Sequence, residues 1–340
     1  VGGGPMDLFD WIQRELAPAT CTTEALIYEH MDSQSGRQLP IIYQPFDPDN
    51  PTHWRDRGAA LDFVCATRAE GGRVLDFGPG DGWPSLIVAP FVGEVVGVEG
   101  ALKRVAVCER NAERLGITNA TCEYVEPGAP LPFEEASFDA VVAASSVEQS
   151  PDPQATLEEF YRVLRPGGRL RMVYEALNRY REGQERELWV WAINEDRTRL
   201  ILYDRDIEGE TAVQVGLTFA MPKAALVAEV TGGAKDEIGM ADLTVDALHN
   251  LRDRLIDAGT CTTHHPSGET LVRWLTEIGF RQVLPTHNGL DVSGRLFSQL
   301  DVDRRPADLD AIDAYLRPIV EVVVDLPAPV ETDPMITAVR

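Results

Sequence analysis

Val74-Leu75-Asp76-Phe77-Gly78-Pro79-Gly80-Asp81-Gly82 is the stretch on which the fold turns, because a short apolar strand runs into a glycine-rich turn and then into a helix-length segment. Glycine lets the backbone take positive φ and come close to a ligand, and a helix start adds N–H donors at its positive end. The spacing is Gly-Pro-Gly-Asp-Gly and not G-x-G-x-x-G, so a ligand without a pyrophosphate suits this turn better than a dinucleotide. Alone, the turn serves a ligand or a tight bend equally well. Its surroundings decide.

Working outward, residues 73–175 alternate short β-branched runs with amphipathic runs of helix length. Strands are expected at 73–77, 94–98, 121–125, 138–143 and 169–174, and helices at 83–90, 101–115 and 153–164. Such alternation predicts an α/β fold, a doubly wound, Rossmann-like and mostly parallel seven-stranded sheet. After residue 175, strand-like runs at 187–193, 199–207 and 212–219 are joined by short polar links that suit antiparallel hairpins. A helix is expected over 245–257, stopping at Ala258-Gly259. The βα pattern resumes with a helix at 269–278, a strand at 281–285, a helix near 309–324 and a strand at 335–339. Upstream, helical spacing at 8–16 and 59–67 flanks the proline-rich Ile41-Ile42-Tyr43-Gln44-Pro45-Phe46-Asp47-Pro48. The expected organisation is an N-terminal helical cap (6–70), a core in two parts (71–175 and 263–340), and an inserted antiparallel β/α subdomain (176–262). The insertion would serve as an acceptor lid or as the contact of a homodimer.

Composition narrows the partners. With 44% hydrophobic and 25% charged residues the chain is an ordinary globular one. No apolar run approaches the roughly 18 residues that span a bilayer, so no membrane partner is expected. The 31 Lys+Arg against 55 Asp+Glu leave a net charge of -24, which repels phosphate backbones and argues against nucleic acid. Five scattered cysteines without a CxxC pair indicate neither a disulfide framework nor a zinc knuckle, and no metal site is expected. Reduced thiols fit a cytoplasmic location. Val1-Gly2-Gly3-Gly4-Pro5 before Met6 reads as an expression scar, and no export signal follows it.

Glu99 ends the strand after the turn, where a carboxylate can accept both hydroxyls of a ribose. At this point the chain resembles the class I S-adenosylmethionine-dependent methyltransferases, in particular the small-molecule group similar to the ubiquinone-biosynthesis enzymes. Leu131-Pro132-Phe133-Glu134-Glu135-Ala136-Ser137-Phe138-Asp139, Pro151-Asp152-Pro153 and Val163-Leu164-Arg165-Pro166-Gly167-Gly168-Arg169-Leu170 carry the likeness further, in the family's order. It is strong over residues 70–175 and a matter of pattern over 268–340.

The resemblance implies S-adenosylmethionine as cofactor, S-adenosylhomocysteine as product and a small-molecule acceptor. It implies that Asp76 holds the methionine amino group, and that Gly78, Pro79, Gly80 and Gly82 let the main chain pass close. Glu99 would bind the ribose, Gly100, Ala101 and Glu126 would flank the adenine, and Ala143 with Ala144 would line the methionine side. Pro127-Gly128 replaces the family's usual acidic residue beside Glu126. The family's frequent Leu-Glu-His is here Val147-Glu148-Gln149, so a histidine that could act as base is Gln149.

An activated methyl needs alignment more than side-chain chemistry, so no universal catalytic residue is expected. If the acceptor must lose a proton, His53, Glu148, His264 and His265 are the candidate bases. Tyr28, Tyr43, Trp54 and Gln149 are candidates for the acceptor pocket. Trp189 and Trp191, spaced by two on one strand face, read better as packing. Two other readings stay open: an NAD(P)-dependent oxidoreductase, and a non-catalytic cofactor-binding scaffold whose inserted sheet recruits a partner.

Overall fold

The computed structural model describes residues 7–31, 43–175, 177–332 and 334–340. The glycine-rich start through Met6 and the Ile41-Ile42 end of the proline-rich stretch lie outside the described residues. The chain forms two compact units, one from residues 7–31 with 177–265, the other from 43–175 with 266–340.

Seven strands build the sheet of the second unit: β1 (Arg73–Phe77), β2 (Glu94–Glu99), β3 (Ala120–Tyr124), β4 (Phe138–Ala144), β5 (Leu164–Val173), β6 (Arg281–Thr286) and β7 (Met335–Val339). Their order in space is β6-β7-β5-β4-β1-β2-β3; β7 is antiparallel to both its neighbours and the other pairs are parallel. The winding direction therefore reverses between β1 and β4. In open α/β sheets, ligands bind outside the carboxyl ends of the strands at such a switch point.

Side-chain alternation along these strands sorts the core into two layers. Val74, Val95, Ala140 and Val142 pack with Phe63 and Val64 of helix α1 (Pro51–Thr67) and with Leu86. Leu75, Val96, Val141, Leu170 and Ile336 face the other way, onto residues of further helices. Helix α2 (Leu102–Leu115) follows β2, α3 (Pro153–Val163) precedes β5, and α4 (Gly268–Ile278), α5 (Gly289–Gln299) and α6 (Leu309–Val323) come from the resumed half. Leu157 and Phe160 of α3 and Leu271 and Leu275 of α4 fill the second layer. Parallel strands buried on both faces explain the near-continuous apolar runs of the sequence.

Helix α1 begins earlier than the pattern at 59–67 suggests. Asn50 caps it by accepting from the Thr52 N–H at 2.9 Å, and Pro51 supplies the preset φ of a first helical position. It is buried on most sides, since Trp54 and Leu61 pack on Ile312, Leu316 and Val320 of α6 while Phe63 faces the sheet. Gly58 and Gly289 let α1 and α5 touch backbone to backbone: a Cβ on Gly58 would sit 2.3 Å from the Gly289 carbonyl oxygen.

Beneath that contact lies an ion pair with no exposed surface. Arg171 of β5 donates to both Asp62 oxygens at 2.7 and 2.8 Å and to Thr286 and Thr337, and Asp62 also accepts from the Gly289 N–H at 2.7 Å.

The first unit holds a five-stranded sheet. Its strands run in the order Ala19–Thr20, Leu255–His264, Thr211–Phe219, Arg197–Asp206 and Arg186–Asn194, antiparallel except for the Ala19–Thr20 pairing. The hairpins thus match the expected antiparallel runs. The helix expected over 245–257 is a correction: only Val245–Asn250 is α-helical, and Leu255–His264 is a strand. Gly259 is not a helix stop; it pairs with Gly216 across the sheet. The residues at 8–16 pack in this unit, where Phe9, Trp11 and Ile12 join Leu200, Leu202, Val215 and Leu217. The segment 6–70, expected as one cap, is therefore divided between the two units. Among the described residues no helix is long and apolar enough to cross a membrane.

Candidate active site

The switch point places the glycine turn. Beyond β1, Gly78, Gly80 and Gly82 take φ of 76°, 58° and 113°, a region costly to other residues. The Gly78 N–H donates to the Val98 carbonyl at 2.8 Å and ties the turn to β2. Side chains crowd all three positions. A Cβ would meet Ser146 at 2.5 Å on Gly78, the Arg104 guanidinium at 2.5 Å on Gly80, and Leu86 at 2.4 Å on Gly82. Pro79 is buried against Gly97.

Two carboxylates flank this turn on adjacent strands. Asp76, fully buried in β1, accepts from the Ser85 hydroxyl at 2.6 Å through Oδ2, while its Oδ1 is buried with no hydrogen-bond partner. Burial raises its pKa to about 7, opposed by the Ser85 hydrogen bonds and reinforced by the nearby Glu99. Glu99 accepts from the Gly80 N–H at 2.9 Å on one oxygen and the Ala101 N–H at 3.0 Å on the other. Burial raises its pKa too, against the charge of Arg104 and the backbone N–H groups. Each carboxylate oxygen has a second lone pair, so Glu99 keeps capacity for two more donors.

The other cofactor candidates divide. Gly100 and Ala101 adjoin Glu99 at the start of α2, and Ala143 and Ala144 end β4 beside β1. Ser146 donates to the Phe77 carbonyl at 2.5 Å and joins the two strand ends. Glu126 is exposed in the turn after β3, where its carbonyl accepts from Ala129.

Among the candidate bases, Glu148 has the distinctive setting. It is buried in the single turn Val147–Gln149, accepts from the Glu175 N–H at 2.7 Å through Oε1, and keeps Oε2 buried without a partner. Burial lifts its pKa to about 7, opposed by backbone hydrogen bonds. Gln149 beside it is half-buried. His53 is buried in α1, stacked on Phe46, and its Nδ1 accepts from the Asp47 N–H at 2.7 Å, so that lone pair is occupied in closing a loop. His264 is exposed at the end of its strand and His265 is buried beside it; both belong to the other unit.

The pocket candidates also separate. Trp54 is fully buried, donates its indole N–H to the Pro48 carbonyl at 2.9 Å and packs edge-on against Phe297 and Tyr315. Tyr43 lies at the turn instead: its hydroxyl is buried with no hydrogen-bond partner, 3.4 Å from where a Gly82 Cβ would be, and burial drives its pKa well above the usual phenol value. Tyr28 is half-buried in the first unit. Among the described residues no three His, Cys, Asp or Glu side chains gather as a metal site. The sequence reading missed Ser85, Ser146 and Arg104, which carry no motif of their own; the only hint was their nearness to strand ends.

Residues 75–172 match the family described as a methyltransferase domain. Over 116 residues the chain is 36% identical to the arsenite methyltransferase of Aquipseudomonas alcaligenes, covering 32% of this chain and 34% of that protein. Over 121 residues it is 37% identical to the demethylmenaquinone methyltransferase of Thermus thermophilus, covering 34% of this chain and 51% of that one. A solved S-adenosylmethionine-dependent methyltransferase from Clostridium acetobutylicum aligns with a TM-score of 0.49 at 8% identity, covering 85% of this chain and 91% of that one. The match spans only about a third to a half of these curated relatives' length. Residues 75–172 thus match a methyltransferase domain, and the curated relatives that align with this stretch are methyltransferases.

Proposed function

We propose that the chain transfers a methyl group from S-adenosylmethionine to a small-molecule acceptor by in-line displacement. The observation that carries this reading is the pairing of Asp76 and Glu99 around a turn of three positive-φ glycines at the switch point. The residues fit the cofactor chemically. The orphaned Asp76 Oδ1 is an acceptor awaiting a cationic donor such as an amino group, and Glu99 has lone pairs to offer a pair of hydroxyls. When bound, S-adenosylmethionine supplies an activated methyl on a sulfonium.

The chain's own residues then orient and exclude water. Asp76 would hold the amino-acid end, the main chain of Gly78 to Gly82 would line it, and Glu99 would grip the sugar next to Gly100 and Ala101. Tyr43 would close the turn at Gly82. Where the acceptor must lose a proton, Glu148 is the better base, since its Oε2 is buried and uncommitted whereas His53 Nδ1 is engaged. A base near pH 7 would give an acid limb in the rate, with turnover falling as pH drops through about 7.

Calorimetric titration with S-adenosylmethionine, S-adenosylhomocysteine, NAD and NADP tests the reading. Binding of the first two and not of the nucleotides is expected, followed by release of S-adenosylhomocysteine when metabolite pools are offered as acceptors. Nucleotide binding without adenosylmethionine binding would contradict it, and cofactor binding with no turnover on any pool would favour a scaffold.

A further inference from the structure

We infer that Arg104 is a positioning residue of the cofactor site: its guanidinium, laid over Gly80, holds the turn and the Glu99 carboxylate in the arrangement that meets the ribose. The inference rests on the cofactor reading above and names a residue that no motif marks.

The geometry is specific to this position. Arg104 lies in the first turn of α2, its backbone N–H donating at 2.9 Å to the carbonyl of Ala101, the residue whose own N–H donates to Glu99. A Cβ on Gly80 would lie 2.5 Å from Arg104 Nη2, 3.1 Å from Nε and 3.2 Å from Cζ, so the whole guanidinium face covers that residue. The Gly80 N–H meanwhile donates to Glu99 at 2.9 Å. Gly80 is thus held between a cation on one side and an anion on the other. The partner is the far end of a flexible side chain, whereas a Cβ on Gly58 would meet both the short Ser293 side chain and the Gly289 carbonyl oxygen.

Charge gives the arrangement its consequence. Glu99 is buried, and among the described residues its charge acts on Asp76 of β1 and Cys122 of β3, while the charge of Arg104 acts on Asp81 in the turn. The Arg104 charge acts on both Glu99 and Asp81, and in each case it opposes the rise caused by burial. An ionised Glu99 accepts from hydroxyls on both oxygens, whereas a protonated one loses acceptor capacity and presents a donor. Removing Arg104 would therefore weaken cofactor binding most where Glu99 begins to protonate. Adenosylmethionine and adenosylhomocysteine share the ribose, so both would weaken alike.

The test is calorimetry on the full chain with both ligands from pH 5.5 to 8.5, for wild type, Arg104→Met and Arg104→Lys. The Glu99 carboxyl is titrated in parallel by carbon NMR of the free protein, assigned with Glu99→Gln. One unit of upward shift in Glu99 corresponds to about a tenfold loss of affinity on the acid side. The expected result for Arg104→Met is weaker binding of both ligands that deepens toward the acid end of the pH range, a raised Glu99 midpoint, and substantial rescue by Lys. An unmoved Glu99 midpoint with an unchanged binding profile would overturn the inference. So would tighter adenosylmethionine binding with unchanged adenosylhomocysteine, since that marks simple repulsion of the sulfonium. If wild type binds neither ligand, the cofactor reading fails, and the NMR midpoint still decides whether Arg104 governs Glu99.

Discussion

Asp62 with Arg171, and Asp76 with Glu99 and Glu148, are buried ionisable groups of one unit, yet they are finished in opposite ways. Arg171 spends its donors on Asp62, Thr286, Thr337 and the His287 carbonyl, and Asp62 completes its set on the Gly289 N–H. At the switch point, Asp76 and Glu148 each keep one buried oxygen without a partner, and burial lifts both to about 7. A closed network fixes α1, α5 and three strands to one another. An open one destabilises the fold and leaves a place for a ligand's donors. Buried charge is informative about function when its hydrogen bonds are incomplete.

The largest effect should come from breaking the closed network. Asp62→Ala leaves the Arg171 guanidinium buried and unpaired, and removal of one partner of such a pair costs about 3–5 kcal/mol. Urea unfolding should show that loss, and a second change, Arg171→Met, should recover part of it. If Asp62→Ala unfolds like wild type, the network is not structural and the comparison collapses.

A smaller effect, and one mainly on binding, is expected at the open network. Glu99→Gln keeps an acceptor for only one of the Gly80 and Ala101 N–H groups, turns an amide donor toward the other, and replaces charged hydrogen bonds to the ribose, each worth about 1.5–3 kcal/mol. The dissociation constant for S-adenosylhomocysteine should rise about 10- to 100-fold, with a smaller loss of stability than Asp62→Ala shows, from the one backbone N–H left without an acceptor. Equal losses of stability and binding would blur the distinction between the two regions. At the small end, Glu126→Ala should change adenosylhomocysteine affinity less than about twofold, the range of an exposed substitution. A larger change would return Glu126 to the adenine site implied by the family resemblance.

The parallel sheet was legible because its strands are buried on both faces, so β1, β2 and β4 announce themselves as apolar runs, and the glycine turn marks their switch point. The strand Leu255–His264 was not, since Val245–Asn250 reads forward as a longer helix and the pairing with Thr211–Phe219 is non-local. Helix α5 was missed for a related reason: Gly289, Ser293 and Gly294 weaken helical propensity, and the contact with Gly58 that justifies small residues lies more than two hundred positions away. In the site, Asp76, Glu99 and the glycines sit on strand ends and could be named. Arg104 could not, since on sequence it is one more polar residue of an amphipathic helix. His53 reads on sequence as a candidate base and Trp54 as a candidate acceptor-pocket residue on the N-terminal cap, while Asn50 and Pro51 start a helix that buries both.

Asp76→Asn puts the central claim to its most direct test, because stability and binding should move in opposite directions. Asp76 titrates at about 7 in the folded protein against an ordinary value of 3.8, so the native state holds its proton over that interval. Wild-type stability is therefore greatest below the lower value, falls as pH rises toward 7, and stays reduced above it. Asparagine removes that penalty, which is on the order of a few kcal/mol for a shift of this size. Thermal unfolding at pH 8, with and without S-adenosylmethionine, reads both effects. The account predicts that the free variant melts above free wild type, while the ligand raises wild type by several degrees and the variant scarcely at all. A variant that melts below wild type and gains as much from the ligand would contradict it.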